Sequence, residues 1–224
     1  MDMMTAIKRI VRGLSTGEAI EGFFAVRYAK FAKENMRIIY EQIAKDVAGQ
    51  IKAGTILDVG TGPGIIPIEI AKLAPKIKVI GLDLSETMVE IASENAREEG
   101  VAEQVSFKLG DAAEMPFEDS SFDFIVSSGS LHHWNQPIKV FNEIYRVLKD
   151  GGEALIGDLR RDSSKEEIDE IVKGIDSWIM RLGVKHSVKE SYTSSEISKL
   201  LDKTNFTDCE VKEEGVGMQI RLRK

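Results

Sequence analysis

The sequence predicts an α/β chain built on a doubly wound, mostly parallel sheet that closes in an antiparallel hairpin. Three observations carry this. From residue 55 to residue 156, short apolar runs alternate with amphipathic stretches. One of those runs ends in a glycine-rich turn that opens a helix. The tail then alternates apolar and polar residues with period two.

Residues 2–50 read as helical. Ile7, Ile10, Val11 and Leu14 recur at helical spacing with Gly13 as a stop, and Ser15 with Glu18 fits a capping box that opens a second helix. Phe24, Tyr28 and Phe31 form an aromatic stripe, continued in a third segment by Met36, Ile39, Ile43 and Val47. The stripe reads either as packing against the main body or as a lid, with Tyr28 covering a ligand.

The apolar runs come next. Thr55–Val59 precedes a helix from about Gly62 to Leu73, and Lys78–Leu82 precedes one from about Ser85 to Glu99 that Gly100 closes. Val105–Leu109 is the third run. Phe122–Ser127 is the fourth, followed by a helix from about Pro137 to Leu148. Lys149-Asp150-Gly151-Gly152 reads as a turn, and Glu153–Ile156 as the fifth run. Right-handed crossovers then place helices on both faces. Asp162–Leu182 interrupts the order as one amphipathic helix whose N-terminus Glu166 and Glu167 suit by charge. Thr193 with Glu196 makes a capping box before Ile197, Leu200 and Leu201. Val216, Met218, Ile220 and Leu222 form the last strand, with Glu213-Glu214-Gly215 as the turn before it. The expectation is one domain over 1–224: a helical cap at 1–50, a core of 51–160 and 193–224, and a helical insertion at 161–192.

Composition narrows the function classes. Of 224 residues, 42% are hydrophobic and 30% charged, which is ordinary for a globular chain. A net charge of −7 lacks the field of a non-specific nucleic-acid binder. The single cysteine, Cys209, excludes an internal disulfide and a multi-cysteine metal site. There is no run of about 18 apolar residues and no signal-peptide pattern. Together these lead us to expect a cytoplasmic chain with no membrane, nucleic-acid or metal partner.

The chemistry concentrates in Ile56-Leu57-Asp58-Val59-Gly60-Thr61-Gly62-Pro63-Gly64. A buried strand runs into glycines whose freedom of φ lets the backbone approach a ligand. Asp83 ends the next strand, 19 positions after Gly64, where a carboxylate can accept bonds from both hydroxyls of a ribose. A simple helix cap is its other reading. The dinucleotide fingerprint would place its third glycine at position 65, which is Ile65; the pattern is instead G-x-G-x-G, with Asp58 two residues ahead.

In this pattern the chain resembles the class I S-adenosylmethionine (SAM) dependent methyltransferases over roughly residues 50–160, and within them the small-molecule branch that includes ubiquinone/menaquinone-type enzymes. The resemblance implies a Rossmann-like seven-stranded fold with an antiparallel seventh strand. It also implies SAM as cofactor, S-adenosylhomocysteine as product, and in-line methyl transfer to a small acceptor. Gly60, Thr61, Gly62 and Gly64 would form the turn at the amino-acid part of SAM. Asp58 would orient that turn or reach the ammonium through water. Leu84 and Met88 offer apolar surface to the adenine, although Met88 reads equally well as core. Asp111 and Ala112 match the positions that contact the adenine in that family. The loop Ser127-Ser128-Gly129-Ser130-Leu131-His132-His133-Trp134 would pass the methionine part and face the acceptor, with Ser128 touching the cofactor. His133 is the candidate base, with lining the site as its alternative. Asp158 and Arg160 lie at the same sheet edge and are candidates to touch an acceptor. His186, in a Lys-rich stretch, reads as solvated.

Alternatives come from other classes. One is a SAM-binding sensor or partner protein without turnover, and another is an RNA or protein methyltransferase. A nicotinamide oxidoreductase is disfavoured by the glycine spacing and the hairpin.

Overall fold

The computed structural model describes residues 19–176 and 178–224. The expected helix around Ile7–Leu14 and the capping box at Ser15 lie outside them. The chain runs α1 (Gly22–Phe31), a π-helical turn (Ala32–Met36), α2 (Arg37–Gln50), β1 (Gly54–Val59), α3 (Ile65–Leu73), β2 (Ile77–Asp83) and α4 (Glu86–Glu98). It continues through β3 (Val105–Leu109), β4 (Phe122–Ser128), a 3₁₀ turn (Leu131–His133), α5 (Pro137–Val147) and β5 (Leu148–Leu159). Last come α6 (Lys165–Lys173), α7 (Trp178–Glu190), α8 (Ser194–Leu201), β6 (Asp208–Glu214) and β7 (Gly217–Arg223).

The seven strands are ordered β3-β2-β1-β4-β5-β7-β6. β1 pairs in parallel with both β2 and β4, while β7 runs antiparallel to β5 and β6. Strand alternation divides the core in two. Leu57, Ile125 and Ile156 face one cluster with Phe141 and Ile144 of α5, while Ile56, Phe124 and Leu155 face the other with Ile66 and Ile70 of α3. Ala44 and Val47 of α2 join the second cluster, so the N-terminal helices pack against the sheet's helix layer. The strand order reverses between β1 and β4, and an open α/β sheet carries its ligand crevice at such a switch point, beyond the strands' C-terminal ends.

Four expectations change. The helix after β1 starts at Ile65 rather than Gly62, because Gly60, Gly62 and Gly64 take φ of +72°, +52° and +76° and a right-handed helix cannot run through them. Ile39 is 56% exposed, and Tyr40 takes its place in the buried stripe. The expected Asp162–Leu182 helix is two helices, broken after Lys173 with Gly174 as its C-cap. Lys149–Gly152 belongs to β5, where the pairing with β4 shifts register between Phe122 and Phe124. Both foreseen acidic features are functional caps: Glu167 closes a capping box on Ser164, and Glu196 closes one on Thr193.

Candidate active site

The turn after β1 is tied to the end of β2. The Gly60 and Thr61 amides donate to Leu82 O at 2.8 and 3.1 Å. The Gly62 amide donates to Asp83 Oδ2 at 2.7 Å, and Asp83 Oδ1 accepts the Ser85 amide at 2.9 Å. Each oxygen of Asp83 thus keeps a lone pair for a further donor. The cap of α4 is Ser85, whose Oγ accepts the Met88 amide, so capping does not account for Asp83. Burial pushes the Asp83 carboxyl upward, against the pull of these amides.

Asp58 lies under the turn, 1% exposed, and accepts Thr61 Oγ1 at 2.7 Å. Burial drives its pKa up to about 7; the Thr61 bond opposes this and the Asp83 charge adds to it.

The three glycines differ in role. A Cβ on Gly60 would lie 2.5 Å from the Ser130 side chain, and one on Gly64 would lie 2.6 Å from the Phe107 ring and 2.9 Å from Ala92. Gly64 thus lets α3 pack on β3 and α4. A Cβ on Gly62 would meet only Tyr28 Cε1, at 4.0 Å. Gly62 is the one of the three with open space beside it, and Tyr28 is its nearest neighbour there.

The segment before α1 brings Tyr28 there. Ser85 Oγ donates to Ile20 O at 2.7 Å, while Glu21 accepts the Glu86 amide at 2.9 Å and Thr87 Oγ1 at 2.6 Å. This clasp on the N-terminus of α4 holds α1 against α4. Burial raises the Tyr28 hydroxyl above its ordinary range, and the charges of Asp83 and Asp158 act in the same direction. Leu84 is 46% exposed at the rim, Met88 is buried, and Ala112 packs against the core. Asp111 is exposed, with Oδ1 on the Ala113 amide at 2.8 Å.

The loop after β4 is bolted to the same turn. Ser127 Oγ and Ser130 Oγ both donate to Val59 O, at 2.8 and 3.2 Å, and lie 2.7 Å apart. Ser128, half-buried, ends the strand. The loop then turns through Leu131–His133 and presents a pair that sequence reasoning did not assemble. His132 Nδ1 is 2.9 and 3.0 Å from the two oxygens of Asp158, and the His132 amide donates to Oδ2 at 2.9 Å. The two side chains are 5% and 1% exposed. A histidine in the turn just after β4 and an aspartate near the end of the neighbouring β5 were the available signal.

His133 stacks on His132 with ring centroids 4.0 Å apart. Burial, with the neighbouring His132, pulls its pKa down to about 3, so it is neutral at pH 7. The Nε2 of His186 is buried against expectation. Arg160 turns instead to Glu213 of β6 and to Asp162. Among the described residues, no three His, Cys, Asp or Glu side chains converge as a metal site.

Residues 51–205 match the family described as a methyltransferase domain, and the chain belongs to that family. A protein from Methanococcus maripaludis assigned to the SAM-dependent methyltransferases has the same fold, with a TM-score of 0.73, 28% identity, and coverage of 89% of this chain and 91% of that one. The chain is also 38% identical over 112 residues to a demethylmenaquinone methyltransferase of Porphyromonas gingivalis, a match covering 49% of this chain and 45% of the relative. It is 34% identical over 114 residues to an erythromycin 3''-O-methyltransferase of Saccharopolyspora erythraea, covering 51% and 37%. The chain spans less than half the length of these curated relatives. It carries the Rossmann-like seven-stranded sheet of that family.

Proposed function

We propose that the crevice above β1 and β4 binds SAM and passes its methyl group to a small-molecule acceptor. The observation that carries this is the Gly62–Asp83 junction: a glycine open to the crevice, beside a carboxylate that retains one lone pair per oxygen. A nucleoside with a free hydroxyl pair fits that donor set. When bound, SAM supplies an electrophilic methyl on a sulfonium and leaves as a neutral thioether.

The chain's own residues bind and align. Asp83 holds the ribose hydroxyls, and Leu84 with Asp111 and Ala112 borders the adenine. The amides around Gly60 and Thr61 face the amino-acid part. Asp58 answers its ammonium, the partner that returns a carboxyl pushed up to about 7 to its charged form. Tyr28 covers the site and keeps it dry, since water exclusion and alignment are the main demands of in-line displacement. The acceptor enters beside the Ser128–Trp134 loop. The demethylmenaquinone and erythromycin relatives support a small acceptor. The exposed single thiol of Cys209 supports work in a reducing compartment, the cytoplasm.

Titration calorimetry with SAM, S-adenosylhomocysteine and NAD tests the reading. Saturable one-to-one heats for the first two and none for NAD are expected; NAD binding without SAM binding would reverse it.

A further inference from the structure

The helical arm from Gly22 to Gln50 is unbroken: α1, the π-helical turn and α2 follow one another without a gap. Its two sides differ in kind. Phe23, Arg27, Lys30, Glu34, Ile38 and Lys45 recur at intervals of four, three or seven, and every one is exposed. Two positions on from each stand Ala25, Ala29, Ala32, Met36, Tyr40 and Val47, all buried or half-buried. Two residues are about 200° of helix, so the first set lies opposite the side that packs on the protein. The π-helical turn keeps both sets in phase, because its wider winding suits intervals of four through the middle of the arm.

The outer side is apolar where no packing requires it. Ile38 is 82% exposed and Phe23 68%, with Val26 and Ile39 beside them at 54% and 56%. Positive charge surrounds these groups. From Gly22 to Lys45 there are five cationic side chains against two carboxylates, a net +3 in a chain of net −7. Arg27 lies over the Phe23 ring, 5.9 Å from its centroid, and Lys30 meets Glu34 loosely at 3.7 Å. The Glu21 clasp on α4 anchors the arm at its start.

Large apolar groups set among basic ones suit the boundary of an anionic bilayer, where apolar tips enter the headgroup layer and cations meet lipid phosphates. A second copy fits less well, because two such faces bring like charge against like charge. The chain's own first residues carry Lys8, Arg9 and Arg12 against Asp2 and Glu18, which adds to the charge of the arm rather than answering it.

We propose that the outer side of the Gly22–Lys45 arm docks on an anionic lipid surface. The expectation of no membrane partner came from the lack of a spanning segment. Among the described residues no helix is long and apolar enough to cross a membrane, but a helix lying in the interface needs no such length or apolarity. Tyr28, on the inner side of α1, is the neighbour of Gly62, so docking leaves the crevice about one helix diameter, about 10 Å, from lipid. An acceptor dissolved in the bilayer then has a short way in.

Sedimentation of the full chain with vesicles tests this. Phosphatidylcholine mixed with phosphatidylglycerol should carry the protein down at low salt. Pure phosphatidylcholine should bind it roughly 10-fold less or weaker, and roughly 0.5 M salt should release it. Arg27→Gln combined with Lys30→Gln should lower the partition coefficient roughly 25-fold, at about fivefold per cation near a membrane surface. Ile38→Ser should lower it roughly 10-fold, with the melting temperature and S-adenosylhomocysteine affinity of wild type. An environment-sensitive fluorophore on Ile38→Cys, in a Cys209→Ser background, should shift to the blue on these vesicles. The same fluorophore on the exposed Cys209 of wild type, on the edge strand β6, should not. No binding to the phosphatidylglycerol vesicles, binding that the substitutions leave unchanged, or a blue shift at Cys209 alone overturns the proposal. A dimer that Ile38→Ser dissociates also overturns it, making a second copy the occupant. So does a fluorophore at position 38 that is already blue-shifted in the free monomer, which makes the chain's own first residues the occupant. None of these outcomes bears on the methyltransferase reading, which SAM calorimetry tests separately.

Discussion

Asp83 Oδ2 accepts the Gly62 amide at 2.7 Å, joining the end of β2 to the turn after β1. The same carboxylate both shapes the turn and, as we propose, receives the ribose. Asp83→Ala should therefore lower stability and SAM affinity together. Binding should weaken by about 1–3 kcal/mol, the scale of lost hydrogen bonds to a charged group. Calorimetry on the folded variant checks this; an unchanged dissociation constant would remove Asp83 from the site.

Gly62 and Gly64 separate binding from folding. Gly62→Val places a side chain into the crevice at positive φ, with backbone strain of about 1–2 kcal/mol. It should fold and lose SAM binding. Gly64→Ala adds overpacking against Phe107 and Ala92 to that strain, for a loss of about 2–5 kcal/mol. Urea melts of both variants should show Gly64→Ala as the less stable. The reverse order would contradict this division between a ligand-facing and a packing glycine.

Asp58 makes a pH prediction. Its folded pKa, about 7, lies above the ordinary carboxyl value, so the folded state favours the protonated form. That contribution is complete below about pH 4 and is lost as pH rises through 7. Asp58→Asn keeps an acceptor for Thr61 Oγ1 and removes the charge. The ligand-free variant should melt higher than wild type at pH 8 and match it near pH 4, while binding SAM more weakly. Equal melting temperatures at pH 8 would show that the buried charge costs nothing.

The sequence was most legible where period and turn chemistry agree. Val105–Leu109 has the expected bounds, the Thr193–Glu196 box is formed, and the alternation from Met218 to Leu222 pairs β7 against β5. Bounds moved where glycine overrode a helical pattern, at Gly62 and Gly174. The site was legible as a motif around Asp58, Gly62 and Asp83 because its residues are close in sequence or end adjacent strands. The His132–Asp158 pair was not: its members are 26 residues apart, and only the register of β4 on β5 brings them together. His186 misled because the Lys residues flanking it are exposed, while its own ring turns inward from α7.

His133 gives an acid-side prediction of opposite sign to Asp58. Its folded pKa, about 3, lies below the ordinary value of 6.5, so the unfolded chain takes up the proton first. The stability this residue contributes is present above pH 6.5 and lost as pH falls toward 3. His133→Gln should therefore show a shallower decline of melting temperature between pH 6.5 and 4 than wild type. A parallel decline would mean His133 titrates as it does in water.

The most direct measurement is a crystal structure of the protein soaked with S-adenosylhomocysteine. We predict nucleoside density between the Gly60–Gly62 turn and Leu84, with both ribose hydroxyls on Asp83 and Tyr28 closed over the sulfur. Density elsewhere on the molecule, or a ribose that leaves Asp83 bonded only to its two backbone amides, would contradict it.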